Sequence, residues 1–328
     1  MARLTRLDDE DVRALAAAFA LGEVTAWGVV PAGTINSNHW VEAGGRRWFL
    51  RVNEGKREED VGFEAELVGE LAARGVATPR PVVASSGKPL VLRRDRWVSV
   101  FPWVAGSQRA LGEVTAADAR AVGAALARLH RAGAGLADRF SKAGIYTTEL
   151  IADRVEAIAA EPRAATDPAL ASAVASAREE MTWLAARAGE RARAPRGVIH
   201  GDLFRDNVLF AADGAVAALL DFEQASLGAW VYDLAVCANA WCYTDDVVPD
   251  LCAALAAGYR AVRPLEPVER ALLWTELRAA AVRFCVTRIT DVYLPGADLP
   301  GKDFRRFQER LARWRSLGES GALGLFGE

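Results

Sequence analysis

The stretch Val198-Ile199-His200-Gly201-Asp202-Leu203-Phe204-Arg205-Asp206-Asn207, followed by Leu219-Leu220-Asp221-Phe222, sets two acids and one amide in a fixed order. The first run reads His-x-Asp-x-x-x-x-Asn, and the second is an apolar strand that ends in Asp-Phe. Few chemistries need these parts together. One carboxylate, Asp202, is placed to align a hydroxyl and take its proton. An amide oxygen, from Asn207, and a second carboxylate, Asp221, are hard donors suited to Mg2+ against the phosphates of a nucleotide. The pattern predicts phosphoryl transfer from ATP, with Asp202 as the base and Asn207 and Asp221 as metal ligands.

The bulk of the chain agrees with a soluble enzyme of one large or two modest domains. It has 328 residues, 52% of them hydrophobic, and a formal net charge of -3. That balance argues against a nucleic-acid or anionic-membrane partner, while leaving room for a local basic patch to hold a nucleotide. Cys237, Cys242, Cys252 and Cys285 lack the spacing of a zinc site or a redox pair and read as packed thiols. The amino-terminal residues carry no signal-peptide block, and no run is long enough to span a bilayer, so the expected location is cytoplasmic.

Along the chain, residues 8–19 read as a helix with a capping pair at Asp8 and Asp11. Extended segments follow at 24–30, 38–42 and 48–52, the last two joined by Ala43-Gly44-Gly45. Residues 58–74 read as a helix stopped by Gly75, and strands at 90–92 and 97–101 flank a turn at Arg94-Asp95. The Ala-rich remainder predicts helices at 115–130, 168–193, 229–242, 247–262, 267–291 and 302–316, a hairpin at 208–220, and a fraying tail from Gly318. The fold class is therefore α+β, with a small antiparallel-sheet lobe over residues 1–103 and a mostly helical lobe over 104–328.

Several further residues enter by position. Arg51, on the third strand, is the expected phosphate-gripping cation, with Glu64 on the next helix as its partner and Glu66 as the fallback. The turn Pro31-Ala32-Gly33-Thr34-Ile35-Asn36-Ser37-Asn38 offers backbone and side-chain donors, Asn36 and Ser37 among them, to the phosphates. Residues 98–101, ending in Phe101, form the apolar strip expected under the adenine. His200 reads as an anchor for its loop, and Asp233 as a brace near a helix start. Glu223 reads as a surface acid, with an outer role at the metal or the binding of a second metal ion as the alternative. His39, His130 and most of the ten tryptophans read as packing or surface groups.

Taken together, these residues resemble the aminoglycoside phosphotransferase and choline kinase-like branch of the protein-kinase fold. His200-Gly201-Asp202 through Asn207 and Asp221-Phe222-Glu223 match its two motifs better than those of protein kinases, which have Arg after His and Gly after Asp-Phe. Within the branch the chain is most similar to the homoserine kinases. The likeness rests on Ile35-Asn36-Ser37-Asn38, on Leu71-Ala72-Ala73-Arg74-Gly75-Val76 with Pro79 and Pro81, on the Asp202 run, and on Tyr232-Asp233-Leu234 through Asn239-Ala240-Trp241-Cys242. Arg205 stands where a Pro is expected, and Gly201 where Ala is common.

The resemblance implies a protein-kinase-like two-lobed fold and MgATP-dependent phosphorylation of a small amino alcohol. For L-homoserine the product would be O-phosphohomoserine, on the way to threonine. An aminoglycoside, choline or other amino-alcohol acceptor is the alternative, and a non-catalytic nucleotide-binding scaffold is a third reading. A homoserine pocket needs a cation for the substrate carboxylate, whereas an aminoglycoside pocket needs many acids. The later helices hold both charges, Arg283 and Asp291 among them, and the sequence leaves the acceptor open.

Overall fold

Asp8 starts the first helix by accepting a hydrogen bond from the Asp11 amide at 2.9 Å, while the Asp11 carboxylate accepts from the Asp8 amide at 3.0 Å. This reciprocal cap satisfies two amides that a helix start leaves unpaired. In the computed structural model, which describes residues 5–31, 36–297, 299 and 301–327, the chain divides into two compact units. One comprises Met1–Ser107, Leu209–Ala212 and Ala217–Glu223; the other comprises Gln108–Val208, Asp213–Val216 and Gln224–Glu328. The expected division at residue 103 did not include the two short returns to the first unit. The part of the phosphate turn at residues 32–35 lies outside the described residues.

The first unit contains α1 (Asp9–Ala18), β1 (Val24–Val29), β2 (Ser37–Ala43), β3 (Arg46–Asn53), α2 (Glu58–Ala73), β4 (Val91–Arg93) and β5 (Arg96–Pro102). Its antiparallel sheet has the order β1-β2-β3-β5-β4. Alternation decides its faces: Ser37, His39, Val41 and Ala43 of β2 point inward, between half-buried neighbours. Val41, Leu50, Val52, Val98 and Val100 form a core with Val12 and Leu15 of α1 and with Phe19, which ends that helix. Arg51 pairs in register with Asn38 on one side and Ser99 on the other.

The second unit begins with α3 (Ala116–Gly133), capped by Thr115 and Asp118, and continues through α4 (Thr148–Ala160), α5 (Pro168–Ala185) and α6 (Ala188–Arg191). The helix expected over 168–193 is thus two, and α4 had not been foreseen. After β6 (Arg196–Ile199) come the hairpin strands β7 (Val208–Phe210) and β8 (Val216–Leu219), most of whose residues belong to the two returns to the first unit, and then β9 (Ser226–Ala229), which pairs with β6. The chain ends in α7 (Trp230–Trp241), α8 (Pro249–Val262), α9 (Pro267–Arg288) and α10 (Arg305–Leu325). The tail does not fray. Gly318 breaks the helical backbone at φ 66°, the helix resumes, and Ala322 and Phe326 are fully buried. Arg260 Nη1 donates to the Phe326 carbonyl at 2.7 Å. The four cysteines are buried and free of disulfides. Among the described residues no helix is long and apolar enough to cross a membrane.

Helices α3 and α8 cross on two glycines. A Cβ on Gly123 would lie 2.1 Å from the Leu255 carbonyl oxygen, and one on Gly258 would lie 2.0 Å from that of Arg120. Both obstacles are backbone, so neither yields without moving a helix. Gly258→Ala should lower unfolding free energy by about 1–3 kcal/mol in denaturant titration, as overpacking does. His39, 3% exposed, has an Nδ1 with no hydrogen-bond partner among the described residues, and burial pushes its pKa below the usual 6.5. The unfolded chain then takes up this proton first, so stability falls as pH drops below about 6.5 and levels off below the folded-state pKa. His39→Leu should flatten that part of the pH profile, read from melting temperatures between pH 5 and 7.5.

Candidate active site

The second unit carries Asp202, Asn207, His200 and Asp233, and its geometry starts from Asp233. This carboxylate, fully buried in the first turn of α7, accepts the His200 amide at 2.7 Å and the Gly201 amide at 2.8 Å. It also meets His130 Nε2 at 3.1 Å, and His130 Nδ1 lies 2.7 Å from the Tyr259 hydroxyl. Desolvation opposes the charge, but these hydrogen bonds and the two histidines outweigh it and hold Asp233 below the usual carboxylate range. Burial, against the pull of Asp233, pushes the His130 pKa down. His130 is therefore part of the brace, a role its sequence position did not reveal.

The rest of the loop is fastened as fully. Gly201, at φ 75°, adopts a backbone that side-chain-bearing residues rarely take, and a Cβ there would meet the Gln224 carbonyl at 3.1 Å. The Gly201 carbonyl accepts from Arg283 Nη1 at 2.5 Å, and the Leu203 carbonyl from Trp241 Nε1 at 2.9 Å. The Asp202 amide donates to His200 Nδ1 at 3.3 Å, and its carbonyl accepts from Asn207 Nδ2 at 2.8 Å. That last bond commits the amide nitrogen of Asn207 and leaves its oxygen without a hydrogen-bond partner among the described residues. The Asp202 carboxylate is likewise unengaged. Desolvation raises its pKa, against Arg283 and His200, and so makes it a stronger base.

The first unit carries Arg51, Glu64, Asn36, Ser37, Phe101 and Asp221. Arg51 is 8% exposed; its Nη2 donates to Glu64 Oε2 at 2.6 Å, and its Nη1 lies 3.8 Å from Asp221 and 3.7 Å from Glu223. Its guanidinium sits 5.5 Å from the centre of the Phe101 ring. Glu64, not Glu66, is its partner. Glu223 is not a surface acid: it pairs with Lys56 and accepts from Asn36 Nδ2. Arg51, Lys56 and Asn36 hold its pKa down against desolvation. Lys56 was missed, because its position after β3 carries no motif.

Two cations, Arg51 and Lys56, thus face three carboxylates, Glu64, Asp221 and Glu223. The surplus negative charge falls on Asp221, whose pKa desolvation and then Glu223 push up. Asp221 also has φ 61° and a side chain 46% exposed. An accessible oxygen with surplus charge fits a divalent cation, as does the free amide oxygen of Asn207. Among the described residues no group of three or more His, Cys, Asp or Glu forms a self-sufficient metal cage. A cation that takes most of its ligands from phosphate and water does not require one.

Ser37 is 6% exposed and donates its hydroxyl to Glu54 at 2.7 Å, so that hydrogen is already spent. Val98 and Val100 face the core, which leaves Ser99 and Phe101 of the expected adenine strip on the Arg51 face. Asp291 is engaged by Arg154 at 3.2 Å and by Thr290 at 2.7 Å. A groove of about 320 Å³ on the first unit, lined by Arg46, Arg47, Trp48, Pro102 and Trp103, holds none of the expected site residues.

Residues 27–265 match the model of the phosphotransferase enzyme family, and the chain belongs to that family. It is 35% identical over 330 residues to a homoserine kinase of Methylobacterium radiotolerans, covering 99% of each chain. It is also 35% identical over 335 residues to one of Gluconacetobacter diazotrophicus, covering 99% of this chain and 100% of that one. An amicoumacin kinase solved with AMP-PNP, Ca2+ and Ami shares the fold, with TM-score 0.69, 15% identity, and coverage of 96% and 94% of the two chains. The fold is thus protein-kinase-like and the protein is a phosphotransferase.

Asp233→Asn keeps the shape but sets an NH2 group against one of the two backbone N–H donors. Loss of a buried charge with three partners should cost about 3 kcal/mol of stability, measured in urea, and lower turnover through a loosened loop.

Proposed function

We propose that this protein transfers the terminal phosphoryl group of MgATP to the side-chain hydroxyl of L-homoserine. The observation that carries the transfer step is the Asp202 carboxylate, unengaged on a loop whose backbone groups are otherwise fastened. The homoserine kinases matched from end to end support the choice of acceptor.

In this reading Asp202 aligns the hydroxyl and receives its proton. The hydroxyl oxygen forms a bond to the terminal phosphorus, the bond to the bridging oxygen of ADP breaks, and its electron pair leaves with ADP. Asn207 and Asp221 would hold Mg2+, which when bound would shield the phosphate charge. Arg51, steadied by Glu64, grips phosphate oxygens. Asn36, tied to Glu223, shapes the turn beside them. Asp233 and His200 keep the loop in place and touch no substrate.

The test is a panel of L-homoserine, choline, aminoglycosides and simple amino alcohols with ATP and Mg2+, scored by ADP release and by mass of the product. The expected result is a phosphorylated homoserine, lost on chelation of the metal. Asp202→Asn should lower turnover by about 10²–10⁴-fold with little change in nucleotide affinity. Undiminished turnover in that variant removes Asp202 from its role, and a panel with no ATP-dependent product removes the kinase reading.

A further inference from the structure

Arginines crowd the neighbourhood of Asp202 in a way the base itself does not require. Among the described arginines that are nine-tenths or more buried, Arg51, Arg263 and Arg278 each have a carboxylate partner, at 2.6, 2.9 and 2.8 Å. Arg283 and Arg310, 4% and 6% exposed, have none among the described residues. Arg283 gives one bond to the Gly201 carbonyl, and its buried Nε has no hydrogen-bond partner among the described residues. Arg310 gives its bond to the Asn239 carbonyl.

Arg288, in the last turn of the same helix as Arg283, is half-buried. Its Nη1 donates to the carbonyls of Gly301 and Asp303 at 3.2 and 3.1 Å. Its guanidinium lies 4.3 Å from the centre of the Phe307 ring, and that of Arg310 lies 4.4 Å from the same ring. Phe307 in turn packs on Phe284 at 5.2 Å and on Phe204 of the catalytic loop at 6.1 Å. Three rings therefore gather these cations beside the base. Burial pushes Arg288 down to about 10, against the attraction of Asp202 and Asp206, neither of which pairs with it. Burial followed by Arg288 pushes Arg310 down to about 9. An anion is the missing counterpart.

We infer that Arg288 is the specificity-determining residue for the acceptor, holding a carboxylate on it through the Nε and Nη2 edge that has no partner among the described residues. That edge presents two parallel donors, the fork that matches a carboxylate side-on. Arg283 and Arg310 supply a positive field behind it, which repels polycationic alcohols such as aminoglycosides. The acceptor class is thus a small hydroxy acid. The inference rests on the reading of Asp202 as the base and adds the group recognised at the other end of the acceptor.

The experiment compares kcat/KM for L-homoserine, L-homoserinamide, 3-aminopropanol and further hydroxy acids, in the wild type, Arg288→Met and Arg288→Lys. The wild type should prefer homoserine to its amide by about 10²-fold or more, as sites built around a polar partner do. Arg288→Met should erase most of that ratio, chiefly through a higher KM for homoserine, and Arg288→Lys should restore part of it. A role limited to stapling residues 301–303 would lower both rates together and leave the ratio intact, which overturns the inference. Equal use of homoserine and its amide by the wild type also overturns it, while the proposed function stands. Carboxylate-dependent phosphorylation of a different hydroxy acid upholds it and discards homoserine. A preference for cationic alcohols, or no hydroxy acid phosphorylated at all, overturns it together with the homoserine reading, even should a variant fail to fold.

Discussion

A single buried carboxylate organises the catalytic loop. Asp233 takes the amides of His200 and Gly201 and the ring of His130 into one hydrogen-bond set, so that β6, α3 and α7 all meet at one pair of oxygens. A charge in that setting is tolerable because both oxygens are hydrogen-bonded, by three donors in all. With the amides held from one side and the Gly201 and Leu203 carbonyls from the other, the loop has little freedom left. What remains unengaged, the Asp202 carboxylate and the Asn207 amide oxygen, is what the proposed chemistry uses.

The first unit solves a different problem, that of keeping a guanidinium in a sheet. Arg51 lies between flanking strands, where an uncompensated charge would be costly. Glu64 reaches it from α2, and Asp221 and Glu223 reach it from the segment after β8. Lys56 and Asn36 then fix Glu223, so one charge network ties the turn before β2, the strand β3 and the segment after β8 together.

Local chemistry was legible in the sequence, and long-range pairing was not. The Asp8 and Thr115 capping boxes are four-residue signals and appear where their residues predicted them. β6 and β9 escaped notice because each has four residues and a glycine, and their pairing spans about thirty residues of chain. α4 had a readable stripe in Ile151, Val155 and Ile158, but only a weak start. Gly318 looked like a terminus because glycine ends helices, yet burial of Phe326 is enough to draw the chain back into one. At the site, the spacing of Asp202, Asn207 and Asp221 is visible in one dimension. The selection of Lys56 and Arg288 from 40 basic residues depends on neighbours brought in from distant segments.

The backbone of Asp221 bears on which residues could replace it. At φ 61° glycine is the residue most at ease, with asparagine and aspartate tolerated. A glycine or asparagine there would suit the backbone, yet it would remove one of the carboxylates that face Arg51 and, in the proposed reading, a metal ligand. A change that the chain accepts locally would thus be felt first in the charge network and the chemistry.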